Sequence, residues 1–295
     1  MASTPVQEKV AIVTGATVGS PSGIGAALAK DLITSGYRVA LVARRSEPGT
    51  RLAASLGPSA RFFSADVSSY DEQARAFAAV WAAWGRLDVV CANAGIVDKS
   101  SAYVLDWRGK PVDEPPPAPD LACTDADWKG VVYGTRLATH FMRQNRPVPG
   151  GRIVATGSVG AIFPHRTYPE YCAAKAAVVQ FVRAVAPVLK EKDNITINVV
   201  HPGIVDTPIV PPEMIAAVSR ECLTPVETIL KGYRVFLEDE TGMTGKNMEA
   251  SGKSLHYYEM PEMANGRVTK RSVTVWEPLF LMMHHEKSGL PDAIE

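Results

Sequence analysis

Val10-Ala11-Ile12-Val13-Thr14-Gly15-Ala16-Thr17-Val18-Gly19-Ser20-Pro21-Ser22-Gly23-Ile24-Gly25 decides the fold of this 295-residue chain. A short apolar, β-forming run enters a glycine-rich turn. The turn opens a helix on which Ile24, Leu28 and Leu32 recur every four residues. Glycines at a strand-to-helix turn let backbone N–H groups approach a pyrophosphate, and the helix N-terminus adds partial positive charge. A glycine-rich turn alone also describes an ordinary flexible loop. Its place directly after the first strand is what makes Gly15, Gly23 and Ile24 candidates for holding a phosphate.

Outward from this stretch the same alternation continues. Further strands are predicted at Arg38–Ala43, Ala60–Ala65, Leu87–Ala92, Arg152–Thr156 and Ile195–His201, with helical patterns at Gly23–Ser35, Tyr70–Trp84, Thr124–Arg143 and Pro169–Leu189. Strands alternating with helices predict a doubly wound α/β fold: three αβα layers around a parallel sheet of about seven strands. Lys99–Asp120 is polar and holds Pro115-Pro116-Pro117, so it reads as a surface excursion. Beyond Pro211 come helix-like pieces at Pro212–Cys222 and Pro225–Phe236 and a possible last strand near Lys246–Ser251. Residues 1–295 read as one domain, with 211–295 a substrate-covering cap and C-terminal extension.

Composition narrows the partners. Equal numbers of basic and acidic residues, 31 of each, give no polycationic surface for nucleic acid. No run of about 18 apolar residues suggests a membrane span, and the first residues lack a signal-peptide apolar core. Cys91, Cys123, Cys172 and Cys222 are widely spaced, which indicates neither a zinc site nor a disulfide framework. A reducing, cytoplasmic compartment and a small-molecule substrate are the expectation, with no metal. His284-His285 lacks further ligands at suitable spacing.

Chemistry concentrates at Tyr171-Cys172-Ala173-Ala174-Lys175, with Ser158 thirteen residues upstream of the tyrosine. Tyr171 and Lys175 share one helix face. An ammonium beside a phenol favours phenolate, as acid–base catalysis requires, and Ser158 can hydrogen-bond the same substrate oxygen. Each residue also has a bland reading, as half-buried ring, solvated amine or turn serine. Leu41-Val42-Ala43 is followed by Arg44-Arg45, where an acid would grip the ribose 2′-hydroxyl of NAD. Guanidinium pairs bidentately with phosphate, so Arg44 and Arg45 favour NADP(H) over NAD(H) unless they are simply solvated.

Together these residues resemble the short-chain dehydrogenases/reductases over at least Val10–Pro208. The resemblance is carried by Thr14-Gly15 with Gly23-Ile24-Gly25, Asp66-Val67, Asn93-Ala94-Gly95, Ser158, Tyr171 with Lys175, and Pro202-Gly203 with Thr207. It implies a Rossmann-type fold in which Asp66 and Val67 meet the adenine and Asn93, Ala94 and Gly95 line the cofactor. Lys175 would also hold the nicotinamide ribose, with Pro202, Gly203, Val205 and Thr207 around the nicotinamide. The tail from Trp276 is similar to fungal members loosely grouped with 15-hydroxyprostaglandin dehydrogenases.

Two departures stand out. Seven residues separate Gly15 from Gly23, more than the family uses, which reads as an insertion in which Ser20 and Ser22 add hydroxyl contacts to phosphate. Asp127 stands where the family usually has an asparagine of a water-linked proton relay. It either serves that relay or is an exposed acid near a helix start. The expected activity is NADPH-dependent carbonyl reduction, or the reverse alcohol oxidation, on a hydrophobic secondary-metabolite-like molecule. Lys99–Asp120 and Pro211–Ala264 would wall the pocket. Non-redox isomerisation or cyclisation on the same site, and a non-catalytic NADP-binding regulator, are the alternatives. The resemblance also implies a homodimer or homotetramer through the helices at Thr124–Arg143 and Pro169–Leu189.

Overall fold

The computed structural model describes residues 8–16 and 23–295. In chain order, β1 (Val10–Thr14) leads to α1 (Ile24–Thr34), β2 (Arg38–Ala43), α2 (Ser46–Leu56), β3 (Ala60–Ser64), α3 (Tyr70–Trp84) and β4 (Val89–Ala92). Then come α4 (Ala122–Thr124), α5 (Gly130–Met142), β5 (Gly151–Thr156), α6 (Pro169–Asp193) and β6 (Ile195–Pro202). The remainder holds α7 (Pro212–Ala217), α8 (Val226–Leu237), β7 (Asn247–Ser251), β8 (Ser254–Tyr258), α9 (Gly266–Val273) and α10 (Glu277–His284).

The strands form one sheet in the order β3-β2-β1-β4-β5-β6-β7-β8. The first seven are parallel, and β8 folds back antiparallel on β7. This is the doubly wound α/β architecture, with one more strand than the seven predicted. Both faces are covered, so the central strands are apolar throughout rather than alternating with polar residues. Val10 and Ile12 pack with α3, α5 and α6 on one side, while Ala11 and Val13 pack with α1, α2 and α8 on the other.

Local signals explain most element ends. Ser69 caps α3 by accepting the Glu72 N–H (3.3 Å), and Gly85 closes it in the left-handed region (φ 65°). No helix is predicted between Arg38–Ala43 and Ala60–Ala65, yet Ser46-Glu47-Pro48-Gly49 opens α2, where Pro48 sits in the tolerated first turn. Gly49 is required there, because a Cβ would fall 2.1 Å from the Phe62 ring of β3. The helix predicted across Thr124–Arg143 is interrupted by a π-turn at Asp125–Lys129 between α4 and α5.

By length and composition α6 could span a membrane, which a count of strictly apolar residues does not reveal. In this structure its inner face, with Val178, Val182 and Ala186, packs on the sheet. Residues 99–120 form the predicted excursion, exposed along almost their whole length with a single 3₁₀ turn at Leu105–Trp107. The excursion is tied back where the Tyr103 hydroxyl donates to the Arg166 carbonyl (2.7 Å).

Candidate active site

Parallel strands place all their carboxyl ends on one rim, and the sheet order reverses between β1 and β4, where a crevice opens. A cavity of about 310 Å³ occupies this position. Gly15, Gly23, Ile24, Asn93, Ala94, Gly95, Asp127, Ser158, Tyr171, Lys175, Pro202, Gly203, Val205 and Thr207 all line it. Gly15 is held at φ +69°, and a Cβ there would lie 2.7 Å from Ala94 Cα, so glycine is needed on two grounds. Ser20 and Ser22 lie outside the described residues.

Arg44 and Arg45 follow β2, and Asp66 and Val67 follow β3, at the carboxyl edge but outside the cavity lining. Arg44 is exposed and lies 3.7 Å from the Asp66 carboxylate. Burial works against ionised Asp66, but hydrogen bonds from Ser68 and the charges of Arg44 and Lys99 outweigh it and hold its pKa low. Val67 is buried, packed where a Cβ on Gly130 would meet it.

Asn93 braces the rim. Its Nδ2 donates to the Thr14 carbonyl (3.0 Å), and its Oδ1 accepts from the Thr156 hydroxyl (3.1 Å). The amide therefore fastens β1, β4 and β5 together while its residue lines the cavity. The Lys175 ammonium donates to the Thr156 carbonyl (2.9 Å), lies 3.2 Å from Asp127 Oδ2 and stands 5.7 Å from the centre of the Tyr171 ring.

Asp127 is fully buried, which removes the exposed-acid alternative. The π-turn swings it inward, where Oδ1 accepts the Ile96 N–H (2.8 Å). Gly95 makes room, since a Cβ there would sit 2.9 Å from Asp127 Oδ2 and 3.2 Å from Lys175 Nζ. Burial raises the Asp127 pKa more than Lys175 and the Ile96 N–H lower it. For Lys175, burial opposes the ammonium, but Asp127 and Tyr171 prevail and its pKa rises. The two groups titrate as one pair, and the direction that geometry supports is a retained Lys175 ammonium.

Two residues here escape a reading of the sequence. Asp98 caps the start of α6, accepting the Tyr171 N–H on Oδ1 (2.6 Å) and the Glu170 N–H on Oδ2 (3.1 Å). His201 is buried at the end of β6 against Ser158. Neither belongs to a recognisable spacing motif. On the substrate side the cavity is walled by Phe163, Pro164, His165, Tyr168, Ile209, Val210, Pro211 and Met214. Residues 99–120 and 215–264 do not contribute to the lining, so the expected walls shrink to the segments following β5 and β6.

The sequence model of the short chain dehydrogenases matches residues 9–214. Short-chain dehydrogenase/reductase prx6 of Penicillium rubens is 60% identical over 293 residues, 98% of either chain. A second protein of that fungus, short-chain dehydrogenase/reductase prx7, is 36% identical over 63% of this chain and 67% of its own. Mouse 15-hydroxyprostaglandin dehydrogenase [NAD(+)] is 30% identical over 69% of this chain and 70% of its own. The chain belongs to the short-chain dehydrogenase/reductase family, oxidoreductases that bind a nicotinamide cofactor.

Proposed function

We propose that this protein transfers hydride between NADP(H) and a ketone, aldehyde or secondary alcohol carried on an apolar body. One observation carries the reading: a single cavity joins Ser158, Tyr171 and Lys175 to the glycine turn of β1 at one end and to apolar side chains at the other. The cavity fits a flat, hydrogen-bonding cofactor. Gly15, Gly23, Gly25 and Gly95 present backbone without side chains.

Gly15, Gly23 and Ile24 would hold the pyrophosphate, Asp66 and Val67 the adenine, and Asn93, Ala94, Gly95, Pro202, Gly203, Val205 and Thr207 the nicotinamide half. When bound, the cofactor supplies or accepts the hydride. Arg44 and Arg45, with no acid at the end of β2, support NADP(H) even though the mouse relative's name carries NAD(+).

Ser158 Oγ already accepts the Gly160 N–H (3.0 Å), so its hydroxyl proton is free to be donated to a carbonyl oxygen. Tyr171 gives that oxygen its proton in reduction, or takes it in oxidation. The Lys175 ammonium, fixed by Thr156 and Asp127, stabilises the phenolate left behind. Asp127 would return a proton toward Lys175 through water.

Apart from His165, the wall named above is made of apolar and aromatic residues, which supports an apolar substrate and agrees with relatives of fungal origin. We extend the proposal to a homo-oligomer through α5 and α6, because only 39% of the most apolar window of α6 is buried within the chain.

The test is absorbance of the reduced nicotinamide against a panel of apolar ketones, with mass spectrometry of the product. Consumption with a product two hydrogens heavier is expected. Cofactor binding with a product of unchanged mass would replace this reading with isomerisation or cyclisation.

A further inference from the structure

We infer that His201 is a positioning residue for Ser158: a neutral imidazole, held in its Nε2–H form by Asn247, whose Nδ1 accepts the Ser158 N–H and fixes the serine loop at the cavity. The inference builds on the role proposed for Ser158. His201 is completely buried and Asn247 is 1% exposed, so their polar atoms must satisfy one another.

Asn247 selects between the two tautomers open to the ring. Asn247 Nδ2 donates to the Gly245 carbonyl (3.3 Å), which turns Oδ1 toward His201 Nε2 at 3.0 Å. An amide oxygen can only accept, so Nε2 carries the proton and Nδ1 is a lone pair. That lone pair meets the Ser158 N–H at 3.1 Å. The Ser158 carbonyl also lies 2.9 Å from Nδ1, but it is already served by the Ala161 N–H (2.9 Å) and needs no proton from the imidazole. The ring abuts the backbone entering Ser158 so closely that a Cβ on Gly157 would fall 2.4 Å from Nδ1.

Charge surroundings keep the ring neutral. Burial comes first, then the cations Lys175 and Arg183 of α6, and together they hold the His201 pKa below its usual value against Asn247 and the Ser158 carbonyl. From β8 the Tyr258 ring packs edge-on at 6.0 Å, and its hydroxyl bonds Glu249, the register partner of His201 on β7. Protonating Nδ1 would set an N–H against the Ser158 N–H and exchange that contact for one to the Ser158 carbonyl, shifting the loop.

The first test needs no variant. In ¹⁵N-histidine-labelled protein, long-range ¹⁵N–¹H correlation should show the His201 ring as the Nε2–H form without titrating over about pH 5.5–8. An Nδ1–H form, or an ordinary titration in that range, overturns the assignment.

Kinetics then separate positioning from packing. His201→Phe keeps a ring against Tyr258 but offers no acceptor, and kcat should fall about 10- to 100-fold with NADPH affinity unchanged. His201→Asn restores an acceptor near the Nδ1 position and should recover most of the loss. Unchanged kcat in His201→Phe, or equal loss in both variants, overturns the inference. If Ser158→Ala keeps full activity while the Nε2–H form is observed, the reading of Ser158 fails and the hydrogen-bond assignment stands.

Discussion

At the strand end of the cavity, buried Lys175, Asp127 and Thr156 and half-buried Asn93 are joined through hydrogen bonds and an ion pair that tie β1, β4, β5 and α6 together. At the opposite end, Phe163, Ile209 and Val210 on connecting segments and Met214 in the short helix α7 are partly or largely exposed apolar side chains. The first region carries charge in a water-poor setting, where geometry must be fixed and any missing partner is costly. The second offers non-directional surface, where substitution changes fit gradually. On the function proposed above, proton chemistry is anchored in the sheet, and substrate choice falls to segments that can vary without disturbing it.

The contrast breaks most sharply at Tyr171. Tyr171→Phe should cut turnover by roughly 10³-fold or more while NADPH titration stays normal, since acid–base catalysis contributes about 10²–10⁴-fold. Turnover near wild type would remove the tyrosine from the proton path. Next is Asp127→Ala, which leaves Lys175 as an unpaired buried charge. Urea denaturation should show a loss of about 3 kcal/mol, at the lower end for breaking a buried pair. A stability loss within error would mean the strand end is not electrostatically fastened.

Smaller effects sharpen the same comparison. Arg44→Asp with Arg45→Ala should reduce the NADPH-over-NADH preference by about 10- to 100-fold, the scale of one to two charge-assisted hydrogen bonds. An unchanged ratio would rule out the arginine–phosphate reading. Because the folded-state pKa of His201 is lowered, acid favours the unfolded chain: stability should fall as pH drops below about 6.5, by up to about 1.4 kcal/mol per pH unit. His201→Asn should abolish that increment in pH-dependent denaturation. Phe163→Ala should raise KM about 5-fold with kcat retained, matching roughly 1 kcal/mol for a side chain that is 62% exposed. A fall in kcat instead would place Phe163 with the chemistry.

Much of this was legible in the chain. β2 and α3 have the bounds their apolar patterns predict, because a buried parallel strand and a capped amphipathic helix each write a local signal. α2 was illegible because Pro48 and Gly49 imitate a loop, and only the approach of Phe62 explains the glycine. β8, Ser254-Leu255-His256-Tyr257-Tyr258, is a partly exposed edge strand without clean alternation, so its pairing with β7 shows only in three dimensions. α9 and α10 escaped for a similar reason: both lie in the extension and bury little of their surface.

The sequence by itself determined the winding order, the rim on which the site lies, and Ser158, Tyr171 and Lys175 as a group, because strand and helix periods and motif spacing are local properties. Only the tertiary structure decided what surrounds them. The π-turn carries Asp127 into contact with Lys175, residues 202–214 and 159–171 replace the long excursion as the substrate wall, and Asn247 sets the proton on His201. Those outcomes depend on burial and on partners far apart in the chain. Whether an acid is solvated or buried, and which nitrogen of a histidine holds its proton, is written in its surroundings rather than in its neighbours along the sequence.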